Sequence, residues 1–418
     1  MNILTTAVFV GLVAAASLAA AQNDAQPPKT FEAHVPVRAI THGPKSHWFA
    51  YYDKQQFDPT NRYVLAMEVD FHDRTPNPDD VITVGMVDLE DGDKWIPFGE
   101  TRAWCWQQGC MLQWLPGSKT QVIYNDRQGD QFVSIIQDPF TGEKRVLPKG
   151  VYSVGPDGKK AVGTDFARID DTRPGYGYKG GVDPGAGQLV PPSGGIYVLD
   201  LETGESKDVV SYEQIAAIPQ ELQTDGRHWF NHLLINTDGT RFIFLHRAYK
   251  EAPKKGGWRT RMFTAGLDGS KIHCVNDHGM VSHFIWKNPQ QILMWSNEPD
   301  TGNHFHRYDD QTGHFEVIGD GVLKQDGHCT YSPDTEWIAT DTYPDKERMQ
   351  TQMLYRPSDG KLVILGRFLL PPEHRGEFRC DLHARWDRQG KYLTIDSMHE
   401  GSQRQVYLID VSEHTGAS

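Results

Sequence analysis

Four histidines stand at the same offset in four separate stretches of the chain: His232 in HLLIN, His283 in HFIWK, His328 in HCTYS and His383 in HARWD. Each precedes an apolar or aromatic residue at the mouth of a turn by three positions, although 51, 45 and 55 residues separate them. If the four stretches are equivalent strands of a repeated unit, this column becomes a ring of imidazoles. Converging imidazoles are natural ligands for a divalent transition metal. One histidine so placed would ordinarily cap its own strand by bonding to a neighbour; four in register point to a bound metal. Gln107 and Gln108 in CWQQGCMLQW and His47 in HWFAYYDK depart from the column. An amide oxygen such as that of Gln108 can complete a ligand set or bind a hydroxyl.

A second group gathers where apolar runs end in polar residues. His246 and Arg247 close the run FIFLHR, and Arg259 and Arg261 open the next in WRTRMF, while Arg127 closes VIYNDR. A histidine among guanidinium groups combines a proton acceptor with cations that grip a carboxylate in bidentate fashion. The net charge is −13, so arginines collected at one place imply an acidic ligand there. Uronic-acid sugars fit. Removing the C5 proton of a uronate requires its carboxylate to be neutralised and a base such as His or Tyr. No G-x-S-x-G elbow and no Gly-rich phosphate loop offer nucleophilic or nucleotide chemistry instead.

These residues must be held by something repetitive. Seven segments read as apolar run, Asp/Gly turn, apolar run: 85–98, 134–147, 196–210, 262–275, 306–318, 353–365 and 406–416. Upstream of each lies a second strand–turn–strand signature, at 57–67, 114–124, 154–164, 235–245, 286–295, 331–340 and 386–395. Two hairpins per unit make a four-stranded antiparallel meander, and seven of them predict an all-β, seven-bladed β-propeller. The last unit ends with a weak fourth strand, and open sheet edges invite aggregation, so the segment around His34–Ile40 is expected to complete it. A Gly- and Pro-rich insertion over 168–195 interrupts the third unit, as a functional rim loop or a mobile one. Ser211–Ala217 is the one short helical turn predicted.

Val8–Ala21 is an apolar run ending in Ala-x-Ala, which predicts a signal peptide over 1–21, a mature domain over 22–418 and a periplasmic or secreted location. An uncleaved anchor is the alternative; no other apolar run spans a membrane. The acidic balance argues against nucleic acid and anionic membrane surfaces as partners. Five cysteines are too few and too scattered for a disulfide framework; Cys105 and Cys110 could bridge but are expected to be buried thiols. Oligomeric state is not readable.

The stretch HWFNHLLINTDGTRFIFLHR…WRTRMFTAGLDG, with the GHCTYSPD and DLHARWD units, resembles the β-propeller oligogalacturonate lyases. The resemblance implies a divalent metal on blade-start histidines and a glutamine, manganese first with Ca²⁺ or Zn²⁺ as alternatives. It places His283, His328 and His383 as ligands and His246 as the base. The amino-terminal THGPKSHWFAYYDKQQFDPTNRYVLAMEVDF resembles instead the propeller enzymes that cleave rhamnose–glucuronate linkages, which implies a catalytic role for His42 or His47. Arg247 after the candidate base departs from the first family and leaves galacturonate specificity open. The expectation is therefore a lyase acting on an acidic oligosaccharide, with His246, Arg247, Arg261, His47 and Arg127 as catalytic candidates and His232, His283, His328, His383 and Gln108 as metal candidates. A hydrolase removing rhamnose from glucuronate and a non-catalytic TolB-like scaffold are the alternatives.

Overall fold

A computed structural model describes residues 30–417. The expected signal peptide and its cleavage point lie outside the described residues. The chain forms seven antiparallel sheets arranged as a propeller, five of them built wholly from strands consecutive in sequence. Blade 4 is representative: His228–Ile235, Arg241–Glu251, Lys255–Gly266 and His273–Asn276 run from the axis outward. Each strand alternates in side-chain direction, and the apolar faces of adjacent blades pack on each other. Ile243, Leu245 and Met262 of blade 4, for example, meet Phe284, Trp286 and Met294 of blade 5.

The expected closure is present. Val37–Ala39 pairs antiparallel with Gln405–Asp410 as the outermost strand of blade 7, so the two ends of the described chain share one sheet. The apparent hairpin over 406–416 is therefore half strand and half a short helix, Ser412–Thr415. Phe31–Ala33 extends blade 6 to five strands. The turn predicted at Ser211–Ala217 is a helix over Tyr212–Ala216 capped by the Ser211 side chain.

The stretch after the second strand of blade 3 opens with an unpredicted helix, Phe166–Thr172, whose Asp165 side chain accepts from the Arg168 N–H. Arg168 is wholly buried. Its guanidinium donates to Asp183 at 3.1 Å and to the carbonyls of His228, Gly185, Gln188 and Leu189, so the following loop is tied to blade 4 at many points. From there Tyr176 reaches Arg379 of the stretch entering blade 7, and the Gly175 carbonyl accepts from Gln107 N–H near blade 2. The segment thus lies across one face of the ring as a roof. Among the described residues, no helix is long and apolar enough to cross a membrane, and Cys105 and Cys110 are free buried thiols.

Candidate functional site

The four histidines of the column all sit where their inner strand escapes its ladder. Blade 4 shifts register between Asn231 and Leu234, and blade 5 between Val281 and Phe284, which frees His232 and His283 to turn inward. His328 and His383 come two residues before the paired strands Thr330–Tyr331 and Arg385–Trp386 begin. His232 and His383 also have left-handed backbones, with φ of 52° and 47°, as does Met111 in the equivalent place of blade 2.

Three of the rings form a row. His283 and His328 have centroids 4.0 Å apart, and His328 and His383 4.1 Å. His283 Nδ1 lies 2.9 Å from Asp326, and His328 Nδ1 lies 2.9 Å from both oxygens of Asp341, whose carboxylate also accepts from the backbone N–H groups of His328 and His383. A proton held on Nδ1 by a carboxylate leaves Nε2 with a bare lone pair, the arrangement metal-ligating histidines use. Asp381, two residues before His383, completes the group: one ligand atom each from His328, Asp381 and His383 lies within 4.8 Å of the others.

The fit to a cation rests on charge and on an orphaned atom. Asp381 Oδ2 accepts from Arg379 at 2.7 Å, but Asp381 Oδ1 is buried without a protein partner. Three carboxylates, Asp326, Asp341 and Asp381, face one guanidinium, Arg379, so the pocket carries a surplus of negative charge suited to a divalent ion. Burial lowers the His328 basicity, but Asp341, Asp381 and Asp326 more than reverse it. His383, buried beside His328 and Arg385, is held well below the usual histidine range.

His232 is differently engaged. Tyr152 OH donates to Gln108 Oε1 at 2.6 Å, which turns the Gln108 amide N–H₂ toward His232 Nδ1 at 3.2 Å. Nδ1 must then be an acceptor, and Tyr51 OH donates to it at 2.8 Å with the two rings stacked. Gln108 therefore orients His232 and does not stand with the carboxylates. Tyr51 comes from blade 1, whose inner strand pairs only over Ser46–Trp48 before leaving the sheet, bringing Tyr51 and Tyr52 against the histidines of blades 4 to 7. Burial keeps the Tyr51 phenol well above its usual range, hence protonated.

Strand alternation separates His246 from Arg247. His246 faces its cross-strand partner Arg261 and donates to or accepts from His228, with Nε2 2.9 Å from His228 Nδ1; Arg261 Nε donates to His246 Nδ1 at 3.3 Å. Both nitrogens of His246 are thus engaged. Arg261 also donates to the carbonyls of Ile215, Ile218 and Pro219. Burial, then Arg261 and His228, hold His246 well below the ordinary histidine range. Arg247 points the other way, bonds Thr260 at 3.2 Å, and is pushed down to about 10 by burial, then Arg173, against the raising influence of Tyr176 and Tyr51. It lies near enough to His232 to lower the basicity of that ring, after burial.

The remaining two candidates lie elsewhere. Arg127 is pinned to the carbonyls of Gly129 and Pro78 at the rim. His47 sits 3.1 Å from Glu68 and edge-on to Trp95 beside a cavity of about 360 Å³ that also includes His42. The sequence reading missed Asp381, Tyr51 as a partner of His232, and Tyr176. For Asp381 a signal existed, since Asp-x-His places two ligands on one short segment; for Tyr176 none did.

No family model and no curated protein matches the chain. Solved structures do. An oligogalacturonate lyase from Vibrio parahaemolyticus superposes with a TM-score of 0.64 at 14% identity over 91% of this chain and 96% of that one. An oligogalacturonate lyase in complex with manganese gives 0.65 at 15% identity over 92% and 96%. The β-propeller domain of the Trilobed protease from Pyrococcus furiosus gives 0.50 at 11% identity over 87% and 96%. Together these show a shared β-propeller fold.

Proposed function

We propose that this chain cleaves a uronate-containing oligosaccharide by β-elimination. The observation that carries the reading is the carboxylate-rich histidine cradle of His283, His328, Asp381 and His383, with the hydrogen-bonded Tyr51–His232 pair set against it through the edge-on contact of Tyr51 with His383. The likeness to a manganese-bound oligogalacturonate lyase supports it. His328, Asp381 and His383 would hold the divalent ion, with His283 next in the row and manganese the first candidate. When bound, the ion supplies a positive centre that neutralises the sugar carboxylate and makes the C5 proton removable.

The chain's own residues handle the protons. Arg247 adds positive potential near His232. His232, neutral and with Nδ1 as acceptor, can take the Tyr51 proton as the Tyr51 oxygen takes the C5 proton. The C4–O4 bond breaks with its electron pair on oxygen, which receives a proton from the same pair, and C4=C5 forms. Gln108 and Tyr152 are positioning residues. His246 is assigned a structural part instead of the base, because Arg261 and His228 occupy both of its nitrogens.

The test is a screen of uronate oligosaccharides with manganese, read by the near-ultraviolet absorbance of the 4,5-unsaturated product. Release of that product supports elimination. New reducing ends without absorbance would replace it with hydrolysis, and no cleavage of any uronate would overturn the enzyme reading in favour of a binding scaffold.

A further inference from the structure

The axial channel has a second mouth. Inner strands begin at the histidine face and end at the opposite one, and there residues of blades 1 to 6 enclose a cavity of about 380 Å³. The inner strand of blade 1 pairs only over Ser46–Trp48, so the chain that carries Tyr51 and Tyr52 to the histidines continues into this cavity with Asp53 and Lys54. Lys54 donates to Asp53 at 2.7 Å, and both side chains are buried. An ammonium has three donors, and Asp53 takes one of them. Two further donors line the same cavity. Gln113 Nε2 is buried and unpartnered, and Lys287, whose ammonium lies 6.0 Å from the Tyr331 ring, forms no ion pair among the described residues. Two lysines thus stand against one aspartate, with no other charged residue in the lining, in a protein whose net charge is −13. Buried donors are costly unless an acceptor reaches them.

We propose that this second mouth binds a small organic anion, a carboxylate or phosphate carried on a compact body with an apolar face. Lys54, Lys287 and the Gln113 amide nitrogen are all donors, so the group they share must be an acceptor, and a surplus of one positive charge selects an anion over a neutral molecule. Ile235, Ile285 and Trp286 line the same space and supply the apolar wall. The cavity lies at the small end of the roughly 300–1,000 Å³ that small-molecule sites occupy, which limits the ligand to a single ring or its equivalent. Asp53 fixes the Lys54 ammonium, so that cation is positioned before the ligand arrives. The site shares no residue with the histidine cradle and does not rest on the uronate reading.

The experiment is calorimetric titration of the full chain, loaded with manganese, with benzoate, phenyl phosphate and the neutral benzyl alcohol. At least one of the two anions should bind one per chain and about tenfold or more tightly than benzyl alcohol, and the tighter of the two identifies the acidic group. K287M should weaken that anion by about tenfold and Q113L severalfold, with manganese content unchanged. Unchanged melting temperatures establish that the variants fold; Lys287 is part-exposed, so K287M carries the test if Q113L does not fold. Anion affinity that survives substitution would place the binding elsewhere and overturn the site. Equal affinity for benzyl alcohol would overturn the anion class, and no binding of any probe up to about 10 mM would overturn the proposal as a whole. None of these outcomes depends on whether the chain cleaves a uronate, so the two readings fail separately.

Discussion

Two histidine groups on one face of this propeller share residue type and burial and differ in their neighbours. At the axis, His283 and His328 each give Nδ1 to a carboxylate, and Asp381 stands between His328 and Arg379 with one oxygen unpartnered. At the blade 4 rim, His228 and His246 lean on each other and on Arg261. Acids around an imidazole leave a lone pair bare and favour a cation; a guanidinium against it consumes the lone pair and keeps the ring neutral. Histidine content alone therefore says little about function until the second neighbour is known.

The sharpest way to break the comparison is to remove one member of each group. Asp381→Ala should lower manganese affinity by more than about 10³-fold, beyond the 10–100-fold that outer neighbours of a metal typically cost, whereas His246→Ala should leave metal content intact. Metal analysis after gel filtration decides; an emptied site in His246→Ala would dissolve the distinction. Tyr51→Phe should lower kcat on the uronate substrate by about 10²–10³-fold with metal retained, as loss of a proton-handling group does. A kcat within twofold of wild type would remove the Tyr51–His232 pair from the chemistry.

Arg261→Met should show the rim group to be structural. Three backbone carbonyls and His246 lose a donor at once, and urea unfolding should register a loss of about 2–3 kcal/mol. The rim also predicts a pH dependence. His228 at this rim, pushed down to about 4 by burial, then Arg261 and Arg168, and His399 of blade 7, pushed down to about 4 by burial, both lie below the ordinary histidine value of about 6.5. Unfolded chains take up protons on these rings first, so stability is full above pH 6.5 and falls as pH drops toward 4. Replacing His399 by Phe should reduce the loss between pH 7 and 5 by roughly 2 kcal/mol, measured by urea unfolding at both values. The smallest effect belongs to Arg127→Ala, outside both groups, which should change stability and turnover by no more than about 0.5 kcal/mol.

Much of the architecture was legible because hairpin signals are local. Asp/Gly turns between alternating runs marked six of the seven outer hairpins, and an unfinished last blade implied that His34–Ile40 would close it, as Val37–Ala39 does. The helix Phe166–Thr172 went unseen inside a Gly- and Pro-rich stretch even though Asp165 was a usable cap. The separation of His246 from Arg247 was in principle readable too, since neighbours on a strand face opposite ways. Treating adjacency in sequence as adjacency in space joined them.

The sequence by itself determined the repeat, the closure and the register that brings His283, His328 and His383 into one row, because turn chemistry and strand period act over a few residues. Only the tertiary structure decided which lone pairs stay free. Asp341 reaches two histidines from separate blades, Tyr51 leaves its own sheet to bond His232, and Tyr176 of the roof accepts from Arg379 across the face. Those contacts join residues tens to hundreds of positions apart, so no local spacing encodes them, and they turn a column of histidines into a cation cradle on one side and a proton-handling pair on the other.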